Sequence, residues 1–258
     1  MRTTALQLAF TIVVASGVCA EPKGKHAPSM EPKISSIYPA GGQRGTAFDA
    51  ELRGSNMAGA RSVIFEGSGV DAKVLGGGED ATKDLLRLKF TVGPDASTGR
   101  HSFRIVTERG VSNKISLAVS AEPILPESET KAPIRRFPVI INGRLAQPGA
   151  SDSYWIEARG GETLTFEAKS FSDEFDPSVI LSEQSGSWFD PQRLNRIASN
   201  DEPLYFPGLS THARLVERFP KSGRYCVQVQ GFSGQGSPDF VYQLRIVRGA
   251  TEGPSLHP

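Results

Sequence analysis

The feature that most constrains this chain is a period-two alternation of apolar residues, repeated in many short runs and broken by glycine and proline. Phe48, Ala50 and Leu52 are followed by Val63 and Phe65, then by Leu86, Leu88, Phe90 and Val92, then by Phe103 and Ile105, then by Ile115, Leu117 and Val119. A second series runs through Val139 and Ile141, through Tyr154, Ile156 and Ala158, and through Leu164, Phe166 and Ala168. It continues with Val179 and Leu181, Ala213 and Leu215 with Phe219, then Tyr225, Val227 and Val229, and ends at Tyr242, Leu244 and Ile246. Side chains on a strand alternate between faces, so such runs bury one face and leave the other to solvent. Between them lie Gly41-Gly42, Gly67-Ser68-Gly69, Gly76-Gly77-Gly78, Gly93-Pro94 and Gly160-Gly161, residues expected to supply positive φ or a fixed turn angle. With 27 glycines, 18 prolines and few helix-forming runs, the expectation is an all-β chain of two β-sandwich domains.

The first residues read differently. Met1-Arg2, an apolar run from Ala5 to Val18 and the small Ala20 before polar Glu21 follow the order of a secretory signal peptide, with cleavage near Ala20. The run falls short of the roughly 20 apolar residues that span a bilayer, and no later segment is longer. The expected location is therefore secreted, periplasmic or at the cell envelope. Residues 1–20 are read as the signal peptide, 21–32 as a flexible leader, 33–120 as the first sandwich and 121–137 as a linker rich in proline and charge. Residues 138–248 form the second expected sandwich, and 249–258 a tail. Lys and Arg number 29 against 28 Asp and Glu, and loss of Arg2 with the signal would leave 28 of each sign. No net field then draws the chain to nucleic acid or acidic membranes. Cys226 would be left without an intrachain partner. It reads as a small buried hydrophobe, with intermolecular pairing as the alternative.

Catalytic chemistry finds little support in the residues. A nucleophilic mechanism needs a serine or cysteine beside a base and an oxyanion hole. The run Gly208-Leu-Ser-Thr-His212 lacks the second glycine of a nucleophile elbow, and His26 and His257 lie near the two ends. His212 is read as a loop or strand-end residue and His101 as part of a strand, so the expectation is a protein that is not an enzyme. Between Ser182 and Pro207 the periodicity fades, and this long connection carries Trp188, Phe189, Tyr205 and Phe206. Exposed rings there would stack on sugars or anchor a protein partner, whereas rings turned inward would form a satellite core. Trp155 is out of phase with Tyr154 and Ile156, which puts it on the opposite face of its sheet, where it would pack against the other domain.

Two resemblances add to this reading. The stretch Ile34-Ser-Ser-Ile-Tyr-Pro-Ala-Gly-Gly-Gln-Arg-Gly-Thr46, with Leu52-Arg-Gly-Ser-Asn56 and Gly110-Val-Ser-Asn113, resembles an IPT/TIG domain over about 33–120. That likeness implies a non-catalytic immunoglobulin-like module. The second half is similar to the bacterial pre-peptidase C-terminal domain, a jelly-roll-like sandwich. The likeness is carried by Ile141-Asn-Gly-Arg-Leu145, Asp152-Ser-Tyr-Trp155, Gly161-Glu-Thr-Leu-Thr-Phe166, Asp176-Pro177, Asn200-Asp201, Gly223-Arg-Tyr-Cys-Val227 and Tyr242-Gln-Leu-Arg-Ile246. It departs from that family at Glu127-Ser-Glu-Thr130 and at His212.

The second resemblance implies that Asp173, Glu174, Asp176, Asn200 and Asp201 meet at one end of the sandwich. Hard calcium prefers several such oxygen ligands, whereas turn chemistry explains the same residues without an ion. No cofactor is required on either reading. The expected function is a secreted, non-catalytic binding or adhesion accessory recognising an extracellular polysaccharide or protein. The alternatives are an accessory to a separate secreted peptidase and a structural envelope component.

Overall fold

The computed structural model describes residues 30–75, 84–125, 130–172, 174–185, 193–200 and 212–250. The expected signal segment, most of the leader and of the tail, and Gly76-Gly77-Gly78 lie outside the described residues. In chain order the strands of the first half are β1 (Lys33–Tyr38), β2 (Gly41–Gln43), β3 (Ala47–Ser55), β4 (Ser62–Phe65), β5 (Val70–Val74), β6 (Leu85–Val92), β7 (Gly99–Thr107), β8 (Gly110–Val111) and β9 (Ile115–Ser120). The second half holds β10 (Ile124–Leu125), β11 (Val139–Arg144), β12 (Ser151–Ala158), β13 (Thr163–Ser170), β14 (Pro177–Gln184), β15 (Leu194–Asn200), β16 (His212–Arg218), β17 (Gly223–Gly231) and β18 (Val241–Arg248). No α-helix occurs among the described residues.

The strands make two sandwiches, the first immunoglobulin-like and the second jelly-roll-like. In the first, sheet β1-β3-β6-β5 packs on sheet β2-β9-β7-β4, with β8 beside β7. In the second, β10-β11-β18-β13-β16 packs on β12-β17-β14-β15. The alternating residues fill both interiors. Leu52, Leu88, Phe90, Phe103, Ile105 and Leu117 are fully buried in the first, and Ile156, Leu164, Phe166, Leu181, Val227 and Leu244 in the second. Each contributes about 1.5–3 kcal/mol relative to exposure. Phe90 centres a ring cluster, 5.4 Å from both Phe48 and Phe103. Phe219 lies outside the strands yet is fully buried, 4.5 Å from the Tyr225 ring.

Three local expectations are corrected. Gly41 and Gly42 form β2 with no positive φ. Glycine is needed there because a Cβ on Gly41 would strike the backbone of Ala118 in β9, and one on Gly42 the ring of Phe48. The faded stretch after Ser182 contains β15, an edge strand whose residues are mostly exposed, so the alternation that marks buried strands is missing. The described residues of the 121–137 connection are built into the second sandwich. Ile124–Leu125 pair in parallel with β11, and Ile134 and Phe137 are buried in the second core.

The outer face of β11 and β18 meets the first sandwich. Asn142 donates from Nδ2 to the Gly41 carbonyl at 3.2 Å and accepts from Gln243 Nε2 at 3.0 Å. Arg144 bonds Glu51 at 3.0 Å and lies over the Tyr38 ring at 4.6 Å. Ser36 donates to Asp239 at 2.6 Å. These contacts explain why Ile140 and Asn142 are buried along with Val139 and Ile141, so that β11 is buried on both faces.

Inside the second core, Tyr242 Oη donates to Asp152 Oδ2 at 2.7 Å and shares a 2.8 Å hydrogen bond with Tyr154 Oη. Burial above all, then the neighbouring Tyr154 and Asp152, push the Tyr242 phenol well above its usual range. The neutral phenol therefore contributes stability that is complete below the unfolded pKa of about 10 and is lost as pH rises towards the folded value. Urea midpoints measured from about pH 7 to about pH 11 should fall on the alkaline side. Tyr242→Phe should cost about 1–2 kcal/mol at neutral pH and make the alkaline fall shallower. Tyr225, whose phenol is also raised chiefly by burial, should leave a residual slope.

Candidate ligand-binding groove

Sheet β12-β17-β14-β15 turns Tyr154, Ile156, Tyr225, Val227 and Leu181 inward, so their neighbours form an outer face. Register sets those neighbours in rows. Trp155 lies opposite Cys226, Cys226 opposite Ser182, and Ser182 opposite Arg196. In adjacent rows Glu157 faces Arg224, and Ser153 faces Gln228. In the Trp155 row the large side chains stand on the edge strands and the small Cys226 and Ser182 on the middle ones.

The result is an open groove of about 500 Å³. Cys226 is buried beneath it, Trp155 and Ser153 stand with Lys131 and Pro133 on one side, Gln184 and Leu194 on the other, and Arg224 at one end. The Lys131 and Pro133 wall is held by backbone pairing along the β12 edge. Ile134 N–H donates to the Trp155 carbonyl at 2.8 Å, and Glu157 N–H donates to the Ile134 carbonyl at 3.0 Å. Trp155 is half-buried beneath this wall. The expectation that it packs against the other sandwich is corrected, because among the described residues none of the first half lines the groove. The first sandwich docks on the opposite sheet, through β11 and β18.

The chemistry of the groove suits binding. Gln228 donates to Ser153 Oγ at 3.3 Å. Burial pushes the Cys226 thiol up, against a smaller opposing effect of its hydrogen bond to Ser153. Glu157 is held by Arg135 through two bonds of 2.7 and 2.8 Å, with Arg224 Nε at 3.4 Å. The hydrogen bonds from Arg135 lead the causes that hold its carboxyl below the usual range. An indole face flanked by amide, hydroxyl and guanidinium groups can stack on an apolar ring face while bonding its hydroxyls.

The residues anticipated as a site fare unevenly. Asp173, Asp201, Trp188, Phe189, Tyr205 and Phe206 lie outside the described residues. Gln184 and Leu194, on either side of 186–192, line the groove. His101 is buried, with Nε2 2.7 Å from the Ser97 carbonyl, and His212 opens β16. Asp176 directly precedes β14, and Asn200 pairs with Val179 three residues further on, so both lie at one end of that sheet. Asp176 N–H donates to Gln235 Oε1 at 3.2 Å, and Asn200 Nδ2 donates to the Arg214 carbonyl at 2.7 Å.

Among the described residues no group of three or more His, Cys, Asp or Glu is placed to hold a metal ion. One carboxylate and one amide fall short of the roughly six to eight oxygens calcium takes, so that site would rest on Asp173 and Asp201 as well. The groove partners of Trp155 escaped the sequence reading. Its only advance sign was the phase of Trp155 itself.

Fold and groove define an all-β, two-sandwich protein with an open aromatic cleft on its second module. No protein-family model and no curated protein matches the chain. Among solved structures it is similar to the pre-peptidase C-terminal domain of collagenase from Bacillus anthracis, at 15% identity over 48% of this chain and 95% of that one, with a TM-score of 0.32. It is also similar to SGBP-B from a complex xyloglucan utilization locus in Bacteroides uniformis, at 15% identity over 84% and 73% of the two chains, with a TM-score of 0.27. A third is Bacteroides ovatus SGBP-B in complex with a mixed-linkage heptasaccharide, at 10% identity over 83% and 74%, with a TM-score of 0.28. None of these likenesses bears on what the groove holds.

Calorimetric titration of calcium into the wild type, Asp176→Ala and Asp201→Ala reads the other end of the sheet. A metal site there requires binding heat that both substitutions reduce, and equal heats in all three proteins exclude it.

Proposed function

We propose that this chain is a secreted, non-catalytic binding protein that holds an extracellular polysaccharide across the outer face of its second sandwich. The observation that carries this reading is Trp155, a half-buried indole lining a groove of about 500 Å³ above the small, buried Cys226. A sugar ring presents C–H groups on its faces and hydroxyls at its rim. Trp155 suits the faces, and Gln184, Ser153 and Arg224 suit the rim. The immunoglobulin-like first half, which resembles IPT/TIG modules, serves as a spacer docked on the far sheet. Export rests on the order of residues 1–20.

Affinity electrophoresis through soluble neutral and charged polysaccharides tests the reading, with Trp155 fluorescence as a second signal. At least one polysaccharide should retard the wild type, and Trp155→Ala should weaken that binding about tenfold, near 1.4 kcal/mol. Trp155 points away from the core, so the urea midpoint of the variant should change little. Retardation unaltered in Trp155→Ala, or absent on every polysaccharide, overturns the proposal.

A further inference from the structure

The groove does not end at Arg224. The same residue lines a second depression of about 380 Å³, together with Arg135, Arg159, Arg248, Glu157 and Glu162. The two depressions thus adjoin at Arg224, the second reaching Arg248 at the end of β18. Over their combined length five cationic side chains, Lys131, Arg135, Arg159, Arg224 and Arg248, stand against the two carboxylates of Glu157 and Glu162. The whole chain carries a formal charge of only +1, so this local surplus of three is a property of the site and not of the composition.

The two carboxylates are already occupied. Glu157 accepts both Arg135 bonds and has Arg224 Nε beside it. Glu162 accepts Arg248 Nε at 2.6 Å and the backbone N–H of Arg159 at 2.9 Å. Among the described residues, the Arg159 guanidinium makes no hydrogen bond and Lys131 no ion pair. Arg224 Nε lies 3.4 Å from Glu157, and its side chain lines both depressions. Planar guanidinium forks match the two oxygens of a carboxylate or sulfate.

Resting on the polysaccharide reading above, we infer that the preferred ligand is an acidic polysaccharide, its carboxylate or sulfate groups held by Arg224, Arg159 and Lys131 while a sugar ring stacks on Trp155. The half-buried indole favours a glycan over an acidic peptide, which would use the cations without needing an aromatic wall beside them.

Dextran, carboxymethyl-dextran and dextran sulfate share one backbone and differ in charge, and binding of the full chain to each, with polyglutamate alongside, isolates the effect. At low salt the charged dextrans should bind about tenfold more tightly than dextran, and the advantage should shrink as salt shortens the Debye length from about 30 Å to about 8 Å. The tighter of the two charged forms identifies the anionic group. Arg159→Gln with Arg224→Gln should remove most of the advantage, whereas Arg109→Gln, on an exposed turn of the first sandwich, should leave it intact.

Equal binding of charged and uncharged dextran, still lost in Trp155→Ala, overturns the acidic preference and leaves the polysaccharide reading standing. An advantage that Arg109→Gln lowers as much as the paired variant marks general polyanion attraction and overturns the site. Tighter binding of polyglutamate than of either charged dextran assigns the cations to an acidic peptide. Binding to none of the dextrans overturns this inference, while the electrophoretic panel decides the broader reading separately.

Discussion

Two backbone hydrogen bonds shape the grooved face of the second sandwich. Ile134 donates to Trp155 and accepts from Glu157, so the connection between the sandwiches runs as an added parallel bridge along the edge of β12. An edge strand exposes unpaired N–H and C=O groups, and covering it removes a template for unwanted pairing. The same cover raises Lys131 and Pro133 beside Trp155 and delivers Arg135 to Glu157. Without it Trp155 would be an isolated ring on a flat sheet. With it, the ring becomes one side of a groove whose shape is set by main-chain geometry more than by flexible side chains.

The second constraint is the seam between sandwiches. Asn142 and Gln243 are polar residues at strand positions that would face solvent in an isolated sandwich, and both are buried. Their mutual hydrogen bond and the bond to the Gly41 carbonyl satisfy groups whose burial would otherwise cost about 1–3 kcal/mol each. Arg245 adds a partly buried tie, bonding Glu122 at 2.6 and 2.7 Å and Glu167 at 3.0 Å. Glu122 belongs to the connection, so the segment that forms the groove wall is anchored to the second sandwich near both of its ends. The seam uses one sheet and the Trp155 groove the other. Ligand contact and module docking therefore do not compete for surface.

What could be read from the sequence follows the physics of burial. Leu86, Leu88, Phe90 and Val92 announce their strand because one face is packed and the other wet, and the structure buries all four. Ile140 and Asn142 could not be read this way, since their burial depends on a surface supplied by the other half of the chain. β15 was hidden for the opposite reason. Asn195, Arg196 and Ile197 are exposed, so backbone pairing with β14 places them and no hydrophobic period records it. The groove was legible only as a displaced tryptophan. Its buried lining residue, Cys226, is small and cannot be distinguished by sequence alone from an ordinary strand filler.

The charge pattern sets how a ligand would be met. A nearly neutral chain creates no long-range field to steer a polyanion, and at physiological salt the influence of a charge fades within about 8 Å. The arginines beside Trp155 therefore act only on a chain already in the groove, where each exposed ion pair is worth about 1 kcal/mol or less. Affinity on such a surface has to come from repetition. A polymer that offers a ring to the indole and spaced anions to successive cations gathers several weak terms along one strand, whereas a small molecule collects one or two. An open, shallow, extended groove that would hold a monosaccharide poorly is the shape that a polysaccharide can exploit.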